Sequence, residues 1–220
     1  MKRVIKGISI IILIICGFLY FIQNNDLDSI ESKKVKSYKN KDIILVNEDY
    51  GIGNYKPEQL TIPDIEFTKD SDREEKQVAY EIVQPLENMV NDAKEEGIEL
   101  IGNSAYRSYK SQKEVYNNRI RAVGRKKAEE YVAKPGFSEH QTGLCIDITN
   151  RSKYFVKGTD EADWLAKNCY KYGFIIRYPQ GKEDITGIAY EPWHVRYVGK
   201  EVAKEIYYKG ITLEEYLGVK

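Results

Sequence analysis

The 220-residue sequence predicts an α+β fold, a small and mainly antiparallel sheet flanked by helices, behind an N-terminal transmembrane helix. Three observations carry this expectation. Short runs rich in β-branched and aromatic residues, such as Phe174-Ile175-Ile176-Arg177-Tyr178, read as strands. Segments with apolar residues at helical spacing stand between them. The two kinds do not alternate regularly, as a parallel βαβ sheet would require. With 42% apolar and 31% charged residues the chain can bury a core, and about 180 residues beyond the N-terminal segments suit one domain.

Taken in order, Gly7 to Ile22 is a run of 16 residues without a charge, behind Lys2, Arg3 and Lys6. Val4 and Ile5 extend it if Lys6 snorkels, giving about 19 residues, near the ~20 that cross a bilayer. The basic flank puts the N-terminus inside and the rest outside. Residues 1–22 are therefore expected to be a single-pass anchor in the cell membrane, with the folded domain on the extracytoplasmic side. The alternative is a cleaved signal segment, but Tyr20-Phe21-Ile22-Gln23-Asn24 offers no small-x-small cleavage site. Residues 23–41, polar and charged with no amphipathic period, read as a spacer, and 42–220 as the folded domain. Basic and acidic residues balance at 34 each; without Lys2, Arg3 and Lys6 the balance is 31 against 34, a net of −3. No nucleic-acid partner is implied. Cys16 belongs to the anchor, which leaves Cys145 and Cys169 as a conceivable disulfide or, the plainer reading, two buried small residues.

Within the domain, Ile43-Ile44-Leu45-Val46 suggests a buried strand, followed by turn-forming Gly51, Gly53, Asn54 and Pro57. Ser71-Asp72-Arg73-Glu74 matches a capping box opening a helix with Ala79, Ile82, Val83, Leu86, Val90 and Ala93 on one face, which Pro85 should kink. A strand over Ile98 to Ser104 delivers Ala105-Tyr106-Arg107-Ser108 at its end, and Ser111 to Ala122 reads as a helix with Val115, Ile120 and Ala122 partly buried. Thr159 can cap a helix carrying Trp164, Leu165 and Cys169, closed at Gly173. Strands at Phe174–Tyr178 and His194–Val198 and a helix from Glu201 to Tyr208 complete the domain.

The chemistry concentrates in Ser138-Glu139-His140-Gln141-Thr142-Gly143-Leu144-Cys145-Ile146-Asp147, which holds one of only two histidines. Leu144, Ile146 and Ile148 alternate with Cys145 and Asp147, so a strand here buries the aliphatics and turns Asp147 to the opposite face. Gly143 lets the chain turn and bring His140 back beside that carboxylate. The bland alternative is a hydrogen-bonded His–Asp pair. The second histidine sits in Glu191-Pro192-Trp193-His194; Pro192 keeps Glu191 extended, so this is not a helical His-Glu-x-x-His site but a loop-to-strand junction. Two histidines and an aspartate suit a catalytic zinc that keeps a fourth position for water, with Glu191 as a spare carboxylate. Arg107 at a strand end is a fork for a carboxylate or oxyanion, or else a surface ion-pair partner.

Ser138-Glu139-His140-x-x-Gly143-x-x-x-Asp147, Ser104-Ala105-Tyr106-Arg107-Ser108 with Gln112, and Glu191-Pro192-Trp193-His194-x-Arg196-Tyr197-Val198-Gly199 together resemble the zinc D-alanyl-D-alanine carboxypeptidases of the VanY type. Ile44 to Asn47 and Tyr55 to Leu60 are similar to that family's opening segment, so the likeness spans residues 43 to 199. It implies a Hedgehog/D,D-peptidase-like fold, one zinc ion per chain on His140, Asp147 and His194, Glu191 as general base, and Arg107 at the substrate carbonyl or carboxylate. It also implies Gln112, Ser138 and Tyr178 lining the substrate site. Cys145 departs from the small residue, such as alanine, expected at that place. The activity implied is removal of the C-terminal D-alanine from peptidoglycan stem peptides. L,D-carboxypeptidase action on tetrapeptides, D,D-dipeptidase or endopeptidase action, a non-catalytic cell-wall-binding module and a metal-free structural His–Asp domain are the alternatives.

Overall fold

The structure, a computed structural model, describes residues 38–40 and 43–220, which belong to the compact unit Lys36–Lys220. The expected anchor and nearly all of the expected spacer lie outside the described residues; among those described, no helix is long and apolar enough to cross a membrane. Strands are β1 (Tyr38–Asn40), β2 (Ile43–Leu45), β3 (Leu60–Thr61), β4 (Val78–Ala79), β5 (Ile101–Ser104), β6 (Cys145–Thr149), β7 (Phe174–Tyr178) and β8 (Glu191–Tyr197). Helices are α1 (Val83–Glu95), α2 (Tyr109–Val123), α3 (Arg125–Glu129), α4 (Asp160–Asn168), α5 (Glu183–Thr186), α6 (Lys200–Lys209) and α7 (Leu213–Leu217). β1 pairs with β2 and β3 with β4, while the principal sheet has the order β5-β6-β8-β7, antiparallel throughout. The α+β, antiparallel expectation is met.

Period-2 alternation gives this sheet two different faces. Ile146 and Ile148 of β6, Val195 of β8 and Phe174 of β7 enter the main core, packing with Leu86, Met89 and Ala93 of α1 and with Ala162, Trp164 and Leu165 of α4. The other face carries Cys145 and Asp147, His194 and Arg196, and Ile175 and Arg177. Ile175 joins a second apolar cluster with Ile43 and Leu45 of β2, Ala203 and Ile206 of α6, and Leu213 and Leu217 of α7. Between these two packed regions the polar residues of the second face are enclosed by protein.

Several local expectations are corrected. Ser71 caps no helix: its hydroxyl donates to the Asn103 carbonyl at 2.6 Å, and β4 intervenes before a 3₁₀ turn at Tyr80–Ile82 leads into α1. Pro85 is the third residue of α1, inside the first turn, where its missing N–H has no intrahelical partner to lose. It therefore kinks nothing. Ala122 is exposed, and α2 buries Gln112 and Tyr116 instead. Glu191 lies at the expected loop-to-strand junction, but β8 starts with it and not at His194. Cys145 and Cys169 are both buried and both free, so the conceivable disulfide is absent. Thr159 does cap α4 and Gly173, at φ 90°, ends the helical segment as its sequence position requires.

Arg177 is fully buried. Its guanidinium donates from Nη2 to Glu214 Oε1 at 2.6 Å and from Nη1 to Oε2 at 3.0 Å, joining β7 to α7. Burial alone would lower its pKa, but Glu139 and Glu214 raise it further than that. Removing one member of such a pair strands the other charge. Glu214→Ala is expected to destabilise the fold by about 3–5 kcal/mol, read as a lowered midpoint in urea denaturation followed by circular dichroism; an unchanged midpoint would show that the pair is not stabilising.

Candidate metal centre

The end of β5 and the turn before β6 are stitched together at the backbone. Arg107 N donates to His140 O at 3.1 Å, and Ala79 N to Gly143 O at 2.9 Å. Ser138 precedes a 3₁₀ turn over Glu139–Thr142, and Gly143 leaves it at φ 67°, a left-handed conformation where a Cβ would lie 2.9 Å from Ala79 N. This tight exit sets His140 directly over β6.

His140 Nδ1 lies 2.6 Å from the Ala105 carbonyl, which can only accept. The proton is therefore on Nδ1, and Nε2 presents its lone pair to the cleft. Asp147 and His194 are directly opposite each other in the β6–β8 register. Asp147 sets Oδ2 3.6 Å from His140 Nε2 and Oδ1 2.9 Å from His194 Nδ1. That Oδ1 is buried and has no hydrogen-bond partner despite its proximity to the ring nitrogen. Donor atoms lying side by side without a shared hydrogen bond are what a common cation requires. The electrostatics agree: burial opposes a charged His194, yet Cys145, Asp147 and Glu139 hold its pKa well above the ordinary value, so the site favours positive charge. The donor set of two imidazoles and a carboxylate fits zinc.

Glu191 puts Oε2 3.8 Å from His194 Nδ1. Burial, only partly offset by His194, pushes its pKa up to about 7. Arg107 is gripped by Ser104 Oγ at 2.8 Å and Gln112 Oε1 at 3.1 Å, with Glu75 Oε1 at 3.4 Å, while its Nε is buried and unpartnered. Gln112 spends its other group on the Ala133 carbonyl, 2.6 Å from Nε2. The Tyr178 ring lies 5.0 Å from the His194 ring, and burial raises its hydroxyl pKa. One cleft of about 380 Å³ is lined by Arg107, Gln112, Ser138, His140, Asp147, Tyr178, Glu191 and His194. Every site residue expected from sequence is thus brought together. A hollow of about 420 Å³ elsewhere, beneath Asp64, Asn91 and Arg151, contains neither histidine nor cysteine.

Sequence reasoning left Glu139 without a role. Its carboxylate is fully buried and accepts through Oε1 from Arg177 Nε at 2.8 Å and Arg196 Nη1 at 2.7 Å. Burial works against its charge, but Arg177 and then Arg196 hold its pKa far below the carboxylate range. Its second oxygen is 3.5 Å from His194 Nε2, and neither atom has another partner. Glu139 thereby faces the back of the imidazole whose Nδ1 faces Asp147. Two arginines inside otherwise apolar strands, at positions facing away from the core, were the signal available in the sequence.

Comparison with known proteins follows the same lines. The family model for VanY, D-alanyl-D-alanine carboxypeptidase, matches residues 75–200. YodJ of Bacillus subtilis (strain 168), named as a carboxypeptidase, is 45% identical over 198 residues, covering 87% of this chain and 72% of that protein. The solved LdcB LD-carboxypeptidase superposes with a TM-score of 0.75 at 44% identity, covering 83% of this chain and 93% of its own. A glutamate-to-alanine variant of a VanY D,D-pentapeptidase from a VanB-type resistance cassette, in complex with Zn(II), gives 0.64 at 36% identity, covering 79% and 97%.

Carboxylates behind ligating histidines typically contribute 10–100-fold to metal affinity. Glu139→Gln is expected to weaken zinc retention by about that factor, measured by competition with a zinc-responsive chelator; equal retention would leave Glu139 a purely structural residue.

Proposed function

The chain belongs to the VanY family of D-alanyl-D-alanine carboxypeptidases, zinc metallopeptidases, and we propose that it removes the C-terminal D-alanine from peptidoglycan stem peptides. The observation that carries this reading is the convergence, in one cleft, of His140, Asp147 and His194 with a carboxyl whose pKa is pushed up to about 7 and the Arg107 guanidinium.

His140, Asp147 and His194 would hold the zinc. When bound, the ion supplies a Lewis acid for the scissile carbonyl and an acidified water. Glu191 is the general base and then the acid: a carboxyl titrating near 7 can take a proton from the attacking water and return it to the leaving amine at neutral pH. Arg107, kept in place by Ser104 and Gln112, offers its unpaired Nε–H to the peptide's carboxylate or developing oxyanion. Because both polar groups of Gln112 are already engaged, it acts through Arg107. Ser138 and Tyr178 line the remaining wall, and Tyr178, kept protonated, is a donor toward the peptide backbone.

A second reading, L,D-cleavage of tetrapeptide stems, is favoured by the greater likeness to LdcB, 44% identity against 36%. Mass spectrometry of defined pentapeptide and tetrapeptide muropeptides incubated with the detergent-solubilised chain separates the two. Chelator-sensitive loss of one alanine from the pentapeptide is expected; loss only from the tetrapeptide selects the second reading, and no loss from either removes both. The charge pattern of residues 1–22 supports anchorage in the cell membrane with the domain on the extracytoplasmic side.

Glu191→Gln should keep zinc and lower kcat roughly 10²–10⁴-fold, whereas His140→Ala and His194→Ala should lose the metal, as elemental analysis of the purified proteins would show. Normal turnover by Glu191→Gln would remove the base assignment.

A further inference from the structure

The strand that brings Asp147 to the metal carries a second donor that the carboxypeptidase reading does not use. Cys145 lies two positions before Asp147 on β6 and shares its face. It is fully buried and forms no disulfide. Its Sγ, one ring nitrogen of His140 and one of His194 form a set whose members all lie within 4.8 Å of one another.

A buried thiol is more often packing than ligand, and this chain supplies its own comparison. Cys169 is that ordinary case, sitting in the main apolar cluster with Leu165 and Phe174. Cys145 belongs to neither apolar cluster. Its neighbours in the β6–β8 register are polar: Arg196 lies directly opposite and His194 diagonally. A separate observation points to a ligand here. Asp147 Oδ1, a buried atom 2.9 Å from His194 Nδ1 on the same side of the ring, has no hydrogen-bond partner. The centre therefore holds an unshared carboxylate oxygen beside the His140, Cys145 and His194 set.

Distances permit the sulfur to reach. Zinc binds thiolate sulfur at about 2.3 Å and imidazole nitrogen at about 2.0–2.1 Å, which places such ligands roughly 3.5 Å apart around a tetrahedral ion. A set already within 4.8 Å closes to that spacing by rotation of one thiol and a small movement of the rings.

We propose that Cys145 is a metal ligand of the resting enzyme, its sulfur joining His140 and His194 on the ion and competing with water for the fourth position. The proposal rests on the zinc-carboxypeptidase reading and deepens it. The thiol proton is released to solvent as the metal–sulfur bond forms, and nothing is oxidised or reduced. With Asp147 these donors would number four, the pattern of a closed centre, whereas catalysis needs one position open. Loss of the sulfur leaves His140, Asp147 and His194 to hold the ion with that position free. A soft donor beside two imidazoles also favours thiophilic ions such as zinc over magnesium or calcium.

The test replaces zinc with cobalt(II) in the detergent-solubilised full chain and records its absorption. A thiolate-to-cobalt charge-transfer band in the near ultraviolet is expected in the parent protein, together with visible d–d bands of tetrahedral cobalt. The charge-transfer band should vanish in Cys145→Ala and Cys145→Ser and persist in Cys169→Ala, with the d–d bands retained in all three. Cobalt bound with d–d bands but no charge-transfer band, or a band that survives in Cys145→Ala, would overturn the proposal and leave the carboxypeptidase reading intact. A parent protein that binds no cobalt would overturn both.

Discussion

The buried pairing of Glu139 with Arg177 and Arg196 is the interaction on which the rest of the domain depends. One carboxylate oxygen receives a guanidinium from β7 and another from β8, while the backbone that carries it forms the turn delivering His140. Arg177 continues to Glu214 on α7, which also accepts from Asn47 Nδ2 at 3.0 Å, and Arg196 continues to the Ile44 carbonyl at 2.7 Å. Two arginines and two glutamates balance, so the network is neutral as a whole, and each guanidinium has several partners. That is the condition under which charges can remain buried. The second apolar cluster and the histidine-bearing face of the sheet are joined through these four side chains as well as through Ile175.

This arrangement explains why the cleft can present unshared donors at all. Buried polar atoms without partners cost free energy, and a native fold holds few of them. Here several occur together: Asp147 Oδ1, His194 Nε2, Arg107 Nε and Glu139 Oε2. The surroundings hold them in place because the neighbouring polar groups are engaged. His140 is fixed by Ala105, Arg107 by Ser104 and Gln112, and Glu139 by its two arginines. The cost of leaving those atoms exposed to one another is one that a cation and a peptide carboxylate can offset on binding.

How much of this was legible in the sequence depends on the range of the physics involved. β7 and the Thr159 cap are local matters, settled by β-branched content and by one hydroxyl, and both appear where the sequence places them. The alternation of Leu144, Ile146 and Ile148 correctly turned Asp147 away from the core, since one strand determines its own faces. Ser71 failed as a helix signal because its hydroxyl found a tertiary partner in the Asn103 carbonyl, which no local pattern reveals. Pro85 was misread because the helix starts later, and a proline in a first turn costs what one in an interior does not. Glu139 and Arg177 lay in plain view, but their partners come from segments 38 residues apart, and pairing over such separations leaves no periodic trace.

The β5-β6-β8-β7 order has a kinetic consequence. Asp147 and His194 face each other across neighbouring strands although 47 residues separate them along the chain. Closing that loop is an entropic cost met before any reward from the pairing. The complete ligand set exists only once β6 and β8 are paired. A bound ion therefore stabilises the folded domain over its unfolded forms. Loss of the ion and loss of the fold then become neighbouring events, and a chelator can shorten the lifetime of the protein as well as its activity.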